Sequence, residues 1–182
     1  MPIFTDVITG DELFSDAFPV KEHRSIAYEV DCEMMDQEGI DVDADLNGEG
    51  DSSPEEDTKV RVNNVVQAFR LQPTVFDKKV RNCLMISRSY FSCLKSYLTL
   101  LKAHVESTSP ERVPTFEKDF KELVKTISAY FKDFEFFVRE SDDPDGMVAL
   151  LSSTHDPYND YRANGVTPFF TFWRDDLAQV NN

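Results

Sequence analysis

Three aspartates at alternate positions, Asp41, Asp43 and Asp45, with Asn47 after them, have the types and spacing of the first half of a calcium-binding loop. An EF-hand also needs glycine at its sixth position for the turn and a bidentate glutamate at its twelfth. Those positions hold Leu46 and Ser52, and no helical pattern flanks them, which argues against an EF-hand. Two readings are left: loose, weak calcium binding by the acid cluster, and plain solvation. The three histidines, His23, His104 and His155, are scattered and read as surface or filler residues, since zinc needs four closely placed N or S ligands. Cys32, Cys83 and Cys93 are an odd set without metal spacing. Ten residues of helix between Cys83 and Cys93 would hold them about 15 Å apart, too far for a bridge. Reduced thiols in the cytosol are expected. The sequence has no G-x-S-x-G, H-E-x-x-H, P-loop or G-x-G-x-x-G motif, so no catalytic constellation and no bound cofactor beyond weak calcium is expected, and the chain does not read as an enzyme.

Two further sets of charges could do binding chemistry. Arg81, Arg88, Lys95 and Lys102 recur every seven residues, with Lys78 nearby, and would form a basic stripe on a helix. That stripe is either a solvated face or a dock for an acidic partner. Asp11 and Glu12 lie in a connection opened by Thr9-Gly10, where acids either make the turn or are presented by it. The net charge of the 182 residues is −15, unevenly spread: residues 1 to 58 hold 18 Asp/Glu against Lys21 and Arg24, while residues 59 to 125 hold 13 Lys/Arg against 6 Asp/Glu. Phosphate repulsion makes such a chain a poor nucleic-acid binder. No signal peptide and no spanning helix is legible.

The elements that position these groups follow from periodicity. Met1 to Ile8 suits an edge strand. Ile26, Tyr28, Val30, Cys32 and Met34 alternate with polar residues, which predicts a strand with one buried and one acidic face. Lys59 to Leu71 predicts another strand, with a bulge near Asn63-Asn64 where the pattern slips. Between them, residues 36 to 57 hold ten acids and no Lys or Arg, so residues 36–58 should be a mobile acidic loop. Phe76 to Glu106 has apolar residues at threes and fours, the mark of a helix. A second helix carries Phe116, Phe120, Leu123, Ile127 and Tyr130, with its start open between Pro110 and Pro114. Tyr90, Phe91 and Tyr97 read as packing residues. Phe134 to Glu140, Met147 to Leu151 and Gly165 to Arg174 read as strands bounded by acidic Gly/Pro turns. Ser152 to Asn164 looks like an extended hairpin. The expected architecture is α+β in a single domain over residues 1–182: a mainly antiparallel β assembly with a helical hairpin inserted at residues 76–131.

The chain also resembles a known family. Phe4, Asp6, Ile8, Asp11, Glu12, Phe14, Ser15 and Asp16, then Leu71-Gln72 with Thr74 and Phe76, then Pro110-Glu-Arg-Val113 with Phe116, and finally Asp145 to Leu151 with Gly165 to Pro168 follow the pattern of the translationally controlled tumour protein family. Its members are also called histamine-releasing factor or fortilin, and this chain looks like a divergent one. The resemblance implies a twisted β-tent, similar to that of Rab-exchange chaperones and methionine sulfoxide reductases, with a helical hairpin and a mobile acidic loop. Neither of those activities follows, because their paired-cysteine zinc sites are absent. It further implies a multifunctional, monomeric protein of the cytoplasm, in some cases nuclear or secreted without a signal peptide. Growth, stress response and cell survival are its implied settings. Calcium, tubulin and microtubules, a Rheb-type small GTPase and anti-apoptotic regulators are its implied partners, with GTPase exchange regulation as an alternative role. The family's proposed GTPase contact is the glutamate that matches Glu12. Three departures stand out: the family's loop signature is not readable in Leu46 to Ser53, Arg139 replaces a glycine, and Ser152 to Asn164 is extended.

Overall fold

Alternating and continuous apolar runs sort the chain into eleven strands and three helices among the residues that the computed structural model describes: 2–37, 60–76, 90–152 and 167–181. Strands β1 (Pro2–Asp6), β2 (Glu12–Ser15), β3 (Val20–His23), β4 (Ala27–Asp31) and β5 (Met34–Gln37) precede β6 (Val60–Asn63), the short helix α1 (Asn64–Phe69) and β7 (Gln72–Thr74). Helices α2 (Tyr90–Thr108) and α3 (Val113–Ala129) follow, then β8 (Phe134–Val138), β9 (Ala149–Ser152), β10 (Phe169–Trp173) and β11 (Leu177–Asn181). All pairings are antiparallel, in three sheets ordered β11-β1-β2, β3-β4-β10-β9-β8-β7 and β5-β6. The α+β reading with an inserted helical hairpin is the observed architecture.

The six-stranded sheet is covered on both faces, which is why β10 reads Phe-Phe-Thr-Phe-Trp with every residue buried. Phe172 faces the three-stranded sheet, with its ring centroid 4.7 Å from that of Phe14, which stacks on Phe4 at 4.5 Å. Trp173 faces the other way and stacks on Phe120 of α3 at 4.6 Å. Tyr90 of α2 meets Phe136 of β8 at 5.0 Å. Such ring pairs bury large apolar areas and fix relative orientation, so they set how the hairpin sits on the sheet.

The hairpin forms where expected, and its open start is resolved. A 3₁₀ turn spans Pro110–Arg112 and α3 begins at Val113. Pro114 therefore falls in the first helical turn, where its missing N–H has no intrahelical partner to lose. The start of the first helix differs: Phe76 is not helical, the described helix begins at Tyr90, and residues 77–89 lie outside the described set.

Four local expectations are corrected. β1 is the middle strand of its sheet, because the far C-terminal β11 pairs with the side expected to be open. The run from Ile26 to Met34 is two strands, β4 and β5, and its acidic face is solvated only in part: Glu33 is exposed, but Glu29 is only 1% exposed, with Oε1 3.3 Å from His23 Nδ1. Glu29 lies opposite Thr171 in the register, on the face that carries Trp173 and the hairpin. Met34, expected on the buried face, is exposed. The slip at Asn63-Asn64 is a helix start and not a bulge. Asn63 caps α1 by accepting from the Val65 and Val66 N–H groups, and Arg70 closes it in the left-handed region at φ 51°.

A candidate partner-binding site at the junction of two turns

Asp6 ends β1 with a buried side chain, and three backbone N–H groups converge on it. Oδ1 accepts from Ile8 N at 2.7 Å and Thr9 N at 3.0 Å, which shapes the Val7–Thr9 turn. Oδ2 accepts from Met147 N at 2.9 Å, which draws in the Asp143–Gly146 turn from the other end of the chain. Gly10 then takes φ +79°, a conformation open to glycine at little cost, and returns the chain to Asp11 and Glu12. The two turns touch. A Cβ at position 146 would lie 3.2 Å from the Asp143 carbonyl oxygen and 3.3 Å from Thr9 Cγ2, so any larger residue would push the two turns apart by a few tenths of an ångström. Across the junction, Asp11 Oδ2 accepts from Thr9 Oγ1 at 3.1 Å and from Ser141 Oγ at 2.6 Å.

Glu12 opens β2 from this junction and is exposed. Among the described residues no hydrogen bond or ion pair engages its carboxylate. Asp11 is the turn-maker and Glu12 the presented charge.

Beneath the junction lies a second carboxyl that sequence reasoning did not single out. Asp176, in the 3₁₀ turn Arg174–Asp176, is fully buried, and neither of its oxygens has a hydrogen-bonding partner at good geometry among the described residues. Burial, and secondarily the nearby Asp6 carboxylate, push its carboxyl up to about 9, with the Tyr97 hydroxyl pulling the other way. Asp176 is therefore protonated at neutral pH. Burial, and then Asp176 and Asp6, raise the Tyr97 phenol well above its ordinary value. No local pattern marks Asp176; Arg174-Asp-Asp176 reads as a solvated turn until the fold closes over it.

Arg139 directs its guanidinium Nη1 to the Phe69 carbonyl at the end of α1. The basic stripe divides. Lys78, Arg81 and Arg88 lie outside the described residues, as do Asp41, Asp43 and Asp45 of the calcium candidate. Lys95 is exposed on α2. Lys102 is committed within the hairpin, with Nζ 2.6 Å from Glu117 Oε1 and 3.7 Å from Glu106 Oε1. The neighbouring helix thus brings Lys102 a carboxylate that its own sequence window does not show, and both partners of the pair stay partly exposed. Lys118, Lys121 and Lys125 are exposed on α3 at spacings of three and four, so they share one face. Their periodicity was the available signal, and it went unread because the heptad on α2 is more regular.

Among the described residues no group of three or more His, Cys, Asp or Glu is placed to hold a metal ion. A cavity of about 310 Å³ opens between α2 and the Asp143–Gly146 turn, with Cys93 among its lining residues. No described helix is long and apolar enough to cross a membrane.

Comparison with known proteins places this geometry. The family profile described as translationally controlled tumour protein matches residues 1–178. The translationally-controlled tumor protein homolog of Schizosaccharomyces pombe is 43% identical over 181 residues, covering 98% of each chain. The homolog from Saccharomyces cerevisiae is 40% identical with the same coverage. The solved structure of p23fyp, a translationally controlled tumor-associated protein from S. pombe, has a TM-score of 0.76 at 42% identity, covering 100% of both chains. The protein of that family from Caenorhabditis elegans has a TM-score of 0.68 at 21% identity, covering 100% of this chain and 99% of its own, a likeness of fold.

Proposed function

The chain belongs to the translationally controlled tumour protein family, and on that premise we propose a non-catalytic interaction protein of growth and survival pathways whose Glu12 surface is read by a small GTPase of the Rheb type. The observation that carries this reading is Glu12 itself: an exposed, uncommitted carboxylate on a turn held by Asp6, Gly10 and the packed Gly146. Rigid presentation lowers the entropy lost on binding, so one charge on such a turn can act as an anchor. Glu12→Ala should weaken GTPase binding at least tenfold in calorimetric titration while leaving thermal unfolding unchanged, because the side chain supports nothing in the fold. Equal affinity of the two proteins would remove Glu12 from the interface.

A second surface favours acidic partners such as tubulin. Lys118, Lys121 and Lys125 on α3 carry it, with Lys95 on α2. Reversing the three α3 lysines to glutamate should cut microtubule co-sedimentation severalfold and abolish its salt dependence, since exposed charges act through a screened field. Unchanged co-sedimentation would assign this face to solvation.

A further inference from the structure

Ser141 is exposed, yet its hydroxyl is committed: Oγ donates to Asp11 Oδ2 at 2.6 Å and ties the segment before the Asp143–Gly146 turn to the turn that presents Glu12. The flanks are acidic on both sides, Glu140 before it and Asp142, Asp143 and Asp145 after it. A basic substrate groove would read such a segment, and residues 140–145 are exposed, with Asp142 in the left-handed region at φ 45°. The bond depends on the hydroxyl being a donor, because its partner is a carboxylate that can only accept.

We propose that Ser141 is a phosphorylation site for an acidophilic protein kinase, and that its modification unlocks the Thr9–Glu12 turn from the Asp143–Gly146 turn. In the reaction Ser141 Oγ bonds to the γ-phosphorus of ATP, the bond from that phosphorus to the β-phosphate oxygen breaks, ADP leaves and the hydroxyl proton passes to solvent. The donor becomes a dianionic acceptor bearing roughly −1.5 to −2 charges. It then faces Asp11 at hydrogen-bonding range, with Asp142, Asp143 and Asp145 close in sequence. Among the described residues no cation is paired with Ser141 or Asp11: Arg139 directs its guanidinium Nη1 to the Phe69 carbonyl, and Arg70 lies 3.8 Å from Glu140. Repulsion therefore separates the turns, while Asp6 still holds Ile8 and Thr9 from below.

The consequence for a partner rests on the Glu12 reading, but the unlocking does not, and the test separates them. The full-length protein is treated with a casein-kinase-type acidophilic kinase and ATP, with Ser141→Ala as the control for site assignment by mass spectrometry. In parallel, phosphoserine is placed at position 141 by codon suppression and amide exchange is followed. Phosphate on Ser141 and at least tenfold faster exchange of the Gly10, Asp11 and Gly146 amides are expected, with Ser141→Ala raising exchange only slightly. Phosphate elsewhere but not on Ser141, or unchanged exchange in the phosphoserine protein, would overturn the proposal. It would do so whatever Glu12→Ala does to GTPase affinity. Faster exchange with GTPase affinity unchanged in both proteins would uphold the unlocking and remove the Glu12 interface instead.

Discussion

Asp176→Asn is expected to stabilise the protein at neutral pH and to flatten its pH dependence. The carboxyl titrates near 3.8 when unfolded and at about 9 when folded, so between those values the folded state holds one more proton than the unfolded chain. The stability tied to this proton is fully present below the unfolded value. It declines by about 1.4 kcal/mol per pH unit as pH rises through the window, and is gone above the folded value. Asparagine needs no proton, so the mutant's advantage should grow from acid towards pH 9. At pH 7 the linkage alone allows up to about 4 kcal/mol. The amide brings its own donors into a site facing Asp6 and Tyr97, so a net gain of about 2 kcal/mol is the expectation. Urea unfolding of both proteins at pH 5, 7 and 9 checks it. Parallel stability profiles of the two proteins would show that Asp176 is ionised in the fold.

Arg112→Ala should produce the largest loss away from the aromatic core. The Arg112 guanidinium makes a two-pronged bond to Asp175, Nε to Oδ1 at 2.6 Å and Nη2 to Oδ2 at 3.0 Å, and Nη2 also donates to the Ser25 carbonyl. The Asp175 hydrogen bond raises the guanidinium's already high pKa further, so its charge is permanent. This contact joins three places far apart in sequence: the bend of the hairpin, the β10–β11 junction and the β3–β4 turn. Arg24 and Ser25 in that last turn occupy the left-handed region at φ 48° and 59°. Asp175 is 10% exposed, so removing the arginine strands a largely dehydrated carboxylate. Loss of a fully buried partner costs about 3–5 kcal/mol, and because Arg112 itself is 24% exposed a smaller loss applies, about 2–3 kcal/mol. Arg112→Lys should recover less than half, since a single ammonium cannot reproduce the fork. Denaturant midpoints for the three proteins decide the matter; a loss under about 0.5 kcal/mol for alanine would mean the pair is solvated.

Both residues sit in stretches that local pattern describes as turns, and that marks the boundary of what could be read in advance. The hairpin helices were legible because Leu94, Leu101 and Val105 on one helix and Phe116, Phe120, Leu123 and Ile127 on the other recur at helical spacing, and a helix shows its buried face in its own sequence. The strands around Phe134–Val138 and Phe169–Trp173 were legible from apolar runs bounded by Pro-Asp-Gly and Thr-Pro. Asn63-Asn64 was misread because one capping side chain turns a strand pattern into a helix within a single residue. Glu29 was misread because alternation tells the two faces of a strand apart but not whether a distant helix covers the second.

The candidate site divides in the same way. The sequence by itself determined the α+β class, the family, the Thr9-Gly10-Asp11 turn and the presence of Glu12 on it, all of them consequences of side-chain chemistry acting within a few residues. Only the tertiary structure decided that Asp6 gathers N–H groups from both ends of the chain, that Asp176 is protonated beneath it, and that Ser141 closes on Asp11. The same holds for Lys102, which Glu117 neutralises. Hydrogen bonds and pKa shifts depend on distances and on the exclusion of water, and for residues as far apart as Asp6 and Met147 those exist only once the sheets have closed.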